Sequence, residues 1–167
     1  MGQLEGKVAL ITGASRGVGR VLSRVFAREG AAVVCAARSR ELVEGTTAMV
    51  KAEGGRAIVV VGDAAVEADA QRMVEAGVKA FGKIDTLVNN AGDGGPTKPV
   101  QDYTAEDWFY TINSCLTSSY MCTRFVVPQM IKAGAGAIVN ISSTAGRRGL
   151  AYRIGDCPGQ AGQVGME

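Results

Sequence analysis

Short runs of consecutive apolar residues recur along the chain and alternate with longer stretches in which apolar and polar residues repeat with a helical period. The runs are rich in β-branched residues, and residues that favour turns bound each of them. Runs of this kind are typical of strands that are buried on both faces of a sheet. The pattern therefore predicts five strands, at residues 7–12, 32–37, 57–61, 86–89 and 137–141.

The stretch that follows the first run has the pattern of an amphipathic helix. Its apolar residues recur with helical spacing, at Val18, Val21, Leu22, Val25 and Phe26. Gly30 stands where a glycine is expected to end that helix. Weaker helical patterns run over about 40–53 and 68–81 and end at Gly54 and Gly82.

A fourth helix is predicted to begin at Thr104, because Thr104 and Asp107 form a capping-box pattern in which each side chain satisfies a free backbone N–H of the other. Apolar residues continue the pattern beyond that point, and Pro128 is expected to bend the helix near its end. Strands that alternate with helices of this length are joined by right-handed parallel crossovers, so the sequence predicts an open, doubly wound α/β sheet. Such sheets bind ligands beyond the carboxyl ends of their strands.

Composition narrows the class of protein further. At 167 residues, 47% hydrophobic and 20% charged, the chain fits one globular domain, 1–167, and does not fit a disordered protein. A formal charge of +2 argues against nucleic acid or an anionic membrane as a partner. The chain has no His, which excludes Ser-His-Asp and Cys-His catalysis, and no metal site is predicted. The four cysteines lack Cys-x-x-Cys spacing and are expected to be reduced core thiols.

A glycine-rich segment, Thr12 to Gly19, directly follows the first predicted strand and opens the first predicted helix. Glycines at this point let the backbone turn tightly and approach a pyrophosphate, whose charge the free N–H groups of the helix start would stabilise. The spacing is Gly-x-x-x-Gly-x-Gly, which differs from the common Gly-x-Gly-x-x-Gly fingerprint. The alternative is a glycine-rich turn that holds no ligand.

This segment resembles the nucleotide loop of the short-chain dehydrogenase/reductase family, which reads Thr-Gly-x-x-x-Gly-x-Gly. Asp63-Ala64 is similar to the position whose acidic side chain reaches the adenine, and Asn89-Asn90-Ala91-Gly92 matches the segment that shapes the cofactor floor. The resemblance runs over about residues 7–165 and implies a Rossmann-type sheet of five strands in the order 3-2-1-4-5. The cofactor-binding residues that we predict are Gly13, Ser15, Arg16, Gly17, Val18, Gly19, Arg38, Ser39, Asp63, Ala64, Asn90, Ala91 and Gly92.

Two catalytic positions of the family are matched as well. Asn113 stands where the family has its helical catalytic Asn, and Ser143, at the end of the fifth predicted strand, is equivalent to the catalytic Ser. These residues also have plainer interpretations: Asn90 as a turn residue, Asn113 as a helix residue bonded to a neighbouring carbonyl, and Ser142 and Ser143 as turn formers. The order of the motifs along the chain favours the functional interpretation.

The choice of cofactor follows from charge. A carboxylate after the second strand would accept hydrogen bonds from a ribose diol, but the chain reads Ala36-Ala37-Arg38-Ser39-Arg40 at this point. Arg38 and Arg16 are able to form charge-assisted hydrogen bonds to a 2′-phosphate, and NADP-preferring members of the family are similar at both positions. We therefore predict NADP(H) over NAD(H). The alternative is that both arginines are solvated surface charges.

The family transfers a hydride between nicotinamide and a carbonyl or alcohol carbon, while a Tyr exchanges the proton and a Lys four residues later lowers the pKa of that Tyr. Here Asp156 and Gln160 stand at those two positions. An Asp with a reference pKa of about 4 is ionised at neutral pH and donates a proton poorly. Tyr152 lies one turn too early to substitute. The helix that would carry the pair is expected to be weakened by Pro158, Gly159 and Gly162.

The resemblance leaves three hypotheses open. The first is an NADP-dependent oxidoreductase that acts on a small-molecule carbonyl or alcohol. The second is a catalytically impaired nucleotide-binding remnant or pseudoenzyme, because of Asp156 and Gln160. The third is a truncated or miscopied form of a longer active enzyme, because the chain stops at Glu167, before the last two strands of the family. On that expectation the domain is incomplete at its C-terminus and the fifth strand becomes an edge.

Partners and location follow from the same observations. Family members often form homo-oligomers through the fourth helix and the helix after the catalytic Ser, so such an oligomer is compatible with the sequence although its interface is incomplete. The chain has no apolar run of about 18 residues and begins with a strand-like segment instead of a signal peptide. We therefore expect a cytoplasmic protein that does not bind membranes. The substrate itself is not specified by any motif.

Overall fold

Five parallel strands form one sheet in the order β3-β2-β1-β4-β5, which confirms the predicted order and fold class. In this computed structural model, which describes residues 2–166, the strands are β1 (Val8–Thr12), β2 (Ala32–Ala37), β3 (Arg56–Val61), β4 (Thr86–Asn89) and β5 (Ala137–Asn140). Met1 and Glu167, the two ends of the predicted domain, lie outside the described residues. The bounds of β2 and β4 match the prediction, and those of the other strands differ from it by one residue at an end.

Helices cover both faces of the sheet. The helices are α1 (Gly17–Arg28), α2 (Arg40–Ala52), α3 (Glu67–Phe81), α4 (Ala105–Ile112), α5 (Ser118–Ala133) and α6 (Asp156–Val164). One core contains Leu10 together with Met73 of α3 and Val126 of α5. The second contains Ile11 together with Val43 of α2. Successive side chains of β1 therefore enter opposite cores, which explains why this interior strand appears in the sequence as an unbroken apolar run.

The first helix ends as predicted but buries less of its apolar stripe than the pattern indicated. Gly30 has a φ of +97°, and the N–H of the next residue, Ala31, donates to the carbonyl of Phe26 at 3.0 Å, which closes the helix end. Val18 and Val21, however, are each 56% exposed. Val18 lines a cleft above the sheet, so helical spacing alone did not distinguish a core position from a cleft position.

The predicted fourth helix is continuous but changes its hydrogen bonding in the middle. The capping box is confirmed: the Asp107 N–H donates to Thr104 Oγ1 at 3.1 Å, and the Thr104 N–H donates to Asp107 Oδ2 at 2.9 Å. Between α4 and α5 the chain forms a π-helical segment, Asn113–Thr117. Single π turns inside α-helices are frequent at functional sites. Pro128 lies inside α5, which continues to Ala133.

Helix α6 forms despite the proline and glycines that were expected to weaken it. Pro158 lies in its first turn, where the missing N–H leaves no hydrogen bond unmade. A Cβ at Gly159 would lie 3.0 Å from Cys115 Cβ, and one at Gly162 would lie 2.6 Å from Leu116 Cδ2. The glycines therefore let α6 pack closely against the π-helical segment, and this packing offsets their low helix propensity.

The cysteines are free thiols, as expected, but not all are core residues: Cys35, Cys115 and Cys122 are buried, whereas Cys157 is half-buried. Within residues 2–166, the structure has no helix that is both long and apolar enough to cross a bilayer. The same residues contain no cluster of three or more acidic or thiol side chains with the geometry of a metal site.

Candidate nucleotide cleft

A cleft of about 440 Å³ lies at the carboxyl edge of the sheet, where the chain order reverses between β1 and β4. The structure brings most of the predicted cofactor residues together around it. Those that line the cleft are Gly13, Ser15, Arg16, Val18, Arg38, Ser39, Asp63, Ala64, Asn90, Ala91 and Gly92. Gly17 and Gly19 are not among the lining residues: Gly17 begins α1, and Gly19 packs against Gly13 and Asn90.

Thr12 joins the end of β1 to the segment after β4 beneath the cleft. Its buried Oγ1 accepts the N–H of Asn90 at 3.1 Å and that of Ala91 at 3.0 Å. In return, the Asn90 side-chain amide donates to the carbonyl of Thr12 at 2.9 Å and to that of Gly13 at 3.3 Å. The glycine loop after β1 and the loop after β4 are therefore held to each other by four hydrogen bonds.

Two glycines are required by the close approach of these loops. A Cβ at Gly19 would lie 2.3 Å from the Gly13 carbonyl oxygen and 2.6 Å from Asn90 Nδ2. Gly13 itself has a φ of +65°, and a Cβ there would lie 2.9 Å from Ala91 Cα. Gly19 is thus a packing residue beneath the cleft, which explains why it does not line it.

The start of α1 faces the cleft with its electropositive end. Gly17 begins the helix with a φ of +53°, and a Cβ at this position would meet open space. The first turn carries no acidic residue, and the Arg16 side chain before it makes no capping hydrogen bond within residues 2–166. The N–H groups of such a turn, together with the helix dipole, favour an anion at this end.

Arg20 and Thr46 support the glycine loop from behind. Arg20 Nη2 donates to the Ser15 carbonyl at 2.5 Å, and Arg20 Nε donates to Thr46 Oγ1 at 3.1 Å. Thr46 Oγ1 lies 3.4 Å from the same Ser15 carbonyl. Sequence reasoning did not identify this support, because a polar residue on the buried face of α2 has no distinguishing signal of its own.

Arg38 lies at the rim of the cleft, close to Asp63 and to Tyr110. Its Nη1 is 3.8 Å from Asp63 Oδ2, and its guanidinium carbon is 5.9 Å from the centre of the Tyr110 ring. The Arg38 side chain is half-exposed. The Tyr110 hydroxyl raises the pKa of Arg38 above its ordinary value, and the charges of Asp63 and Asp93 add to this effect, whereas partial burial opposes it.

Several lining residues were not predicted, and Ser114 and Ser118 are the clearest of them. They lie four residues apart and face the cleft from the helix that contains Asn113. Ser114 Oγ accepts the N–H of Asp93 at 3.2 Å and is 3.0 Å from the Asp93 carbonyl, and Cys115 Sγ donates to that carbonyl at 3.3 Å. The spacing of Ser114 and Ser118 by one helical turn is the sequence feature that indicates a shared helix face. The other unpredicted lining residues are Ala36, Ala37, Leu42, Gly62 and Met73.

The two predicted catalytic side chains are not among the cleft residues. Asn113 is exposed at the start of the π-helical segment, and its Oδ1 accepts a hydrogen bond from Thr117 Oγ1 at 3.0 Å. Ser143 is also exposed, and its Oγ accepts the N–H of Ala145 at 3.2 Å. The Ser143 contact agrees with the plainer interpretation of Ser143 as a turn former. The plainer interpretation of Asn113 expected a hydrogen bond to a neighbouring carbonyl, but its partner is the Thr117 hydroxyl.

Asp156 and Gln160 are both involved in internal packing. Asp156 is 6% exposed at the start of α6, and its Oδ2 lies 3.4 Å from Arg153 Nε. Arg153 in turn donates to the carbonyl of Gly95 and to Thr97 Oγ1, at 3.3 and 3.0 Å. Gln160 Nε2 lies 3.7 Å from Cys115 Sγ, while its buried Oε1 has no partner among residues 2–166.

Tyr152, the other candidate proton donor, lies away from the cleft. It is 58% exposed and lines a separate shallow depression with Lys98 and Val100. Its φ of +63° is unusual for a residue with a side chain.

Comparisons of sequence and of structure with known proteins point to one family. Residues 7–155 match the model of the family described as short chain dehydrogenase. The chain is 36% identical to the ketoacyl reductase HetN of a Nostoc species and 37% identical to the 3-oxoacyl-(acyl-carrier-protein) reductase of Thermotoga maritima, in each case over 98% of its length. It spans 57% and 66% of the lengths of these two relatives. The structure of an NAD⁺-bound xylitol dehydrogenase superimposes with a TM-score of 0.95 and 33% identity, over 98% of this chain and 63% of that one.

Proposed function

The chain belongs to the short-chain dehydrogenase family, and from this membership we propose that its cleft binds NADP(H) for hydride transfer between the cofactor and a small carbonyl or alcohol compound. Members of the family bind NAD(P) and act as oxidoreductases on alcohol or carbonyl groups. The two ketoacyl reductases and the xylitol dehydrogenase are named for substrates of these two classes. The particular substrate is left open.

The residues of the cleft fit a dinucleotide. The glycine loop and the first turn of α1 would hold the diphosphate, because the free N–H groups and the dipole at the start of this helix favour an anion and its first turn carries no acidic residue. Asp63 and Ala64 would lie at the adenine, and Asn90 with its neighbours would form the floor. When bound, the cofactor supplies or accepts the hydride. The chain itself supplies the binding surface and its electrostatic field.

The observation that carries the choice of NADP(H) is the place of Arg38. It follows β2 directly and lines the cleft, at the position where a carboxylate would be needed to accept hydrogen bonds from a ribose diol. Arg16 lines the same cleft. A hydrogen bond to a charged group contributes about 1.5–3 kcal/mol, so a 2′-phosphate on Arg38 corresponds to roughly a tenfold to hundredfold gain in affinity.

The test is a titration of the purified chain with NADPH and with NADH, followed by nucleotide fluorescence. We expect NADPH to bind at least about tenfold more tightly, and Arg38→Ala to remove most of the difference. Arg40→Ala is the matched control, because Arg40 is a nearby exposed arginine that pairs with Glu44 and does not line the cleft. A tenfold preference for NADH, or an Arg38→Ala variant that discriminates like the unaltered chain, would refute the proposal.

A second candidate function, nucleotide binding without turnover, is favoured by one specific observation. The carboxylate of Asp156, which the resemblance to the family aligns with its proton-donating Tyr, is buried and paired with Arg153. A paired carboxylate accepts hydrogen bonds and is a poor proton donor to a forming alkoxide.

The two candidates are separated by measuring NADPH oxidation with a panel of ketones and aldehydes. Turnover by the unaltered chain supports the oxidoreductase. If only the double variant Asp156→Tyr, Gln160→Lys turns over while both chains bind NADPH equally, the second candidate holds.

A further inference from the structure

A chain of contacts crosses the rim of the cleft from the loop after β4 to the residue that follows β2. The Tyr110 hydroxyl on α4 donates to Asp93 Oδ2 at 2.8 Å, and the face of the Tyr110 ring lies 5.9 Å from the Arg38 guanidinium carbon. A guanidinium at this distance from a tyrosine ring is attracted by the electron-rich face of the ring. Tyr110 is therefore hydrogen-bonded to Asp93 and within cation–π range of Arg38, although it does not line the cleft itself.

The Asp93 end of this chain is held firmly. Its backbone is tied to the helix by Ser114 and Cys115, through the bonds to its N–H and carbonyl, and its Oδ1 accepts the N–H of Gly95 at 3.0 Å. Partial burial would raise the pKa of Asp93, but the hydrogen bonds from Tyr110 and Gly95 and the nearby positive charges outweigh it, and the pKa lies below its ordinary value. Asp93 is thus a fixed negative charge that orients the Tyr110 hydroxyl.

The Arg38 end is more exposed and has a competing partner. Its side chain is 53% exposed, and its Nη1 lies 3.8 Å from Asp63 Oδ2. An arginine that is free to move loses considerable side-chain entropy when it binds a phosphate, whereas one that is already held in place loses less. Without the Tyr110 ring, the ion pair with Asp63 would be left to determine where the guanidinium lies.

We propose that Tyr110, anchored by Asp93, is a positioning residue that holds Arg38 at the rim of the cleft and thereby strengthens the preference for a nucleotide with a 2′-phosphate. This inference rests on the proposed function, because it concerns how Arg38, the residue proposed to bind the 2′-phosphate, is held in position. It concerns neither the glycine loop nor the diphosphate. It therefore predicts an effect on NADPH alone, and that effect must disappear when Arg38 is absent.

The experiment is a double-mutant cycle on the full chain, with NADPH and NADH as probes and nucleotide fluorescence as the readout. We expect Tyr110→Ala to weaken NADPH binding about fivefold to tenfold and to leave NADH binding within about twofold. In the Arg38→Ala background, Tyr110→Ala should change NADPH affinity by less than about twofold, because the residue through which it acts is gone. Tyr120→Ala is the matched control, since Tyr120 is an exposed tyrosine on α5 (50%, against 41% for Tyr110) that does not line the cleft.

Each other outcome counts against the inference in a distinguishable way. An equal loss of NADPH and NADH affinity would mean that Tyr110 only supports the local structure. An undiminished effect in the Arg38→Ala background would mean that it does not act through Arg38, and no effect at all would refute its role. If the unaltered chain does not prefer NADPH, the proposed cofactor choice fails first and the positioning role falls with it. Thermal unfolding of each variant, followed by circular dichroism, shows whether the fold is retained.

Discussion

Replacing Thr12 by Val would test whether one hydroxyl joins the two halves of the cleft. Thr12 is 2% exposed, and its Oγ1 accepts two backbone N–H groups, those of Asn90 and Ala91. Valine has nearly the same shape but no acceptor. The variant would therefore leave both N–H groups without a partner and would create no cavity.

The expected loss of stability follows from these two contacts. A buried donor that loses its partner costs about 1–3 kcal/mol, and the half-buried state of Asn90 and Ala91 favours the lower end of that range. Thr12→Val should therefore lower the free energy of unfolding by about 2–4 kcal/mol. Thr12→Ser is the matched control: it keeps the oxygen and loses one methyl group, at a cost of about 1 kcal/mol.

The assay is urea unfolding of the three chains, followed by far-ultraviolet circular dichroism. A Val variant that is no less stable than the Ser variant would show that the hydroxyl is not the link. Nucleotide binding gives a second readout. Because Asn90 and Ala91 line the cleft, their displacement in Thr12→Val should weaken NADPH and NADH binding to the same extent, in contrast to Arg38→Ala.

Three further predictions concern neighbouring features. Gly19→Ala should destabilise the chain by about 1–3 kcal/mol and abolish nucleotide binding, because its Cβ would meet the Gly13 carbonyl at 2.3 Å; chemical unfolding and NADPH titration check this. Arg20→Ala should release the glycine loop and weaken the binding of NADPH and of NADH equally, as measured by fluorescence titration; Arg20→Lys, which keeps the charge, is the control. Lys98 and the cap of α4 lower the pKa of Asp107 to about 2, so its contribution to stability is complete above about pH 4 and is lost as the pH falls toward 2. Asp107→Asn should remove that part of the acid dependence in unfolding curves measured between pH 2 and 6.

Strands β1 and β2 were predictable because their burial is recorded directly in their composition, whereas the prediction that β5 is buried was wrong, since Ala137, Ile138 and Val139 are exposed at the edge of the sheet. Every residue of β1 and β2 is buried, so an apolar run coincides with the paired segment. At the start of β3 this record fails. Arg56 is exposed, yet its backbone pairs with Ala32 of β2. Pairing is a property of the backbone, and a charged side chain that points to solvent gives no sign of it.

The part of the cleft formed by a sequence motif was predictable, whereas the contacts between segments that are distant in sequence were not. The glycine loop needs small residues at fixed spacings, and those are visible in the sequence. The contact between Tyr110 and Asp93 joins residues 17 positions apart and depends on the path of the loop after β4. The π-helical segment was missed for a related reason, because a change of hydrogen-bond partner along a helix requires no change in hydrophobic pattern.

The candidate nucleotide cleft and Asp156 are held by different contacts in this chain, so their proposed roles are separable by experiment. The glycine loop is fixed through Thr12 and Asn90, between β1 and β4. Asp156 is fixed through Arg153, whose other bonds reach the segment of Gly95 and Thr97. The hydrogen bonds and ion pair that hold Asp156 are thus distinct from those that hold the loop. A change at Thr12 should therefore alter nucleotide affinity whichever residue occupies position 156, and a change at position 156 should alter turnover while nucleotide affinity is retained.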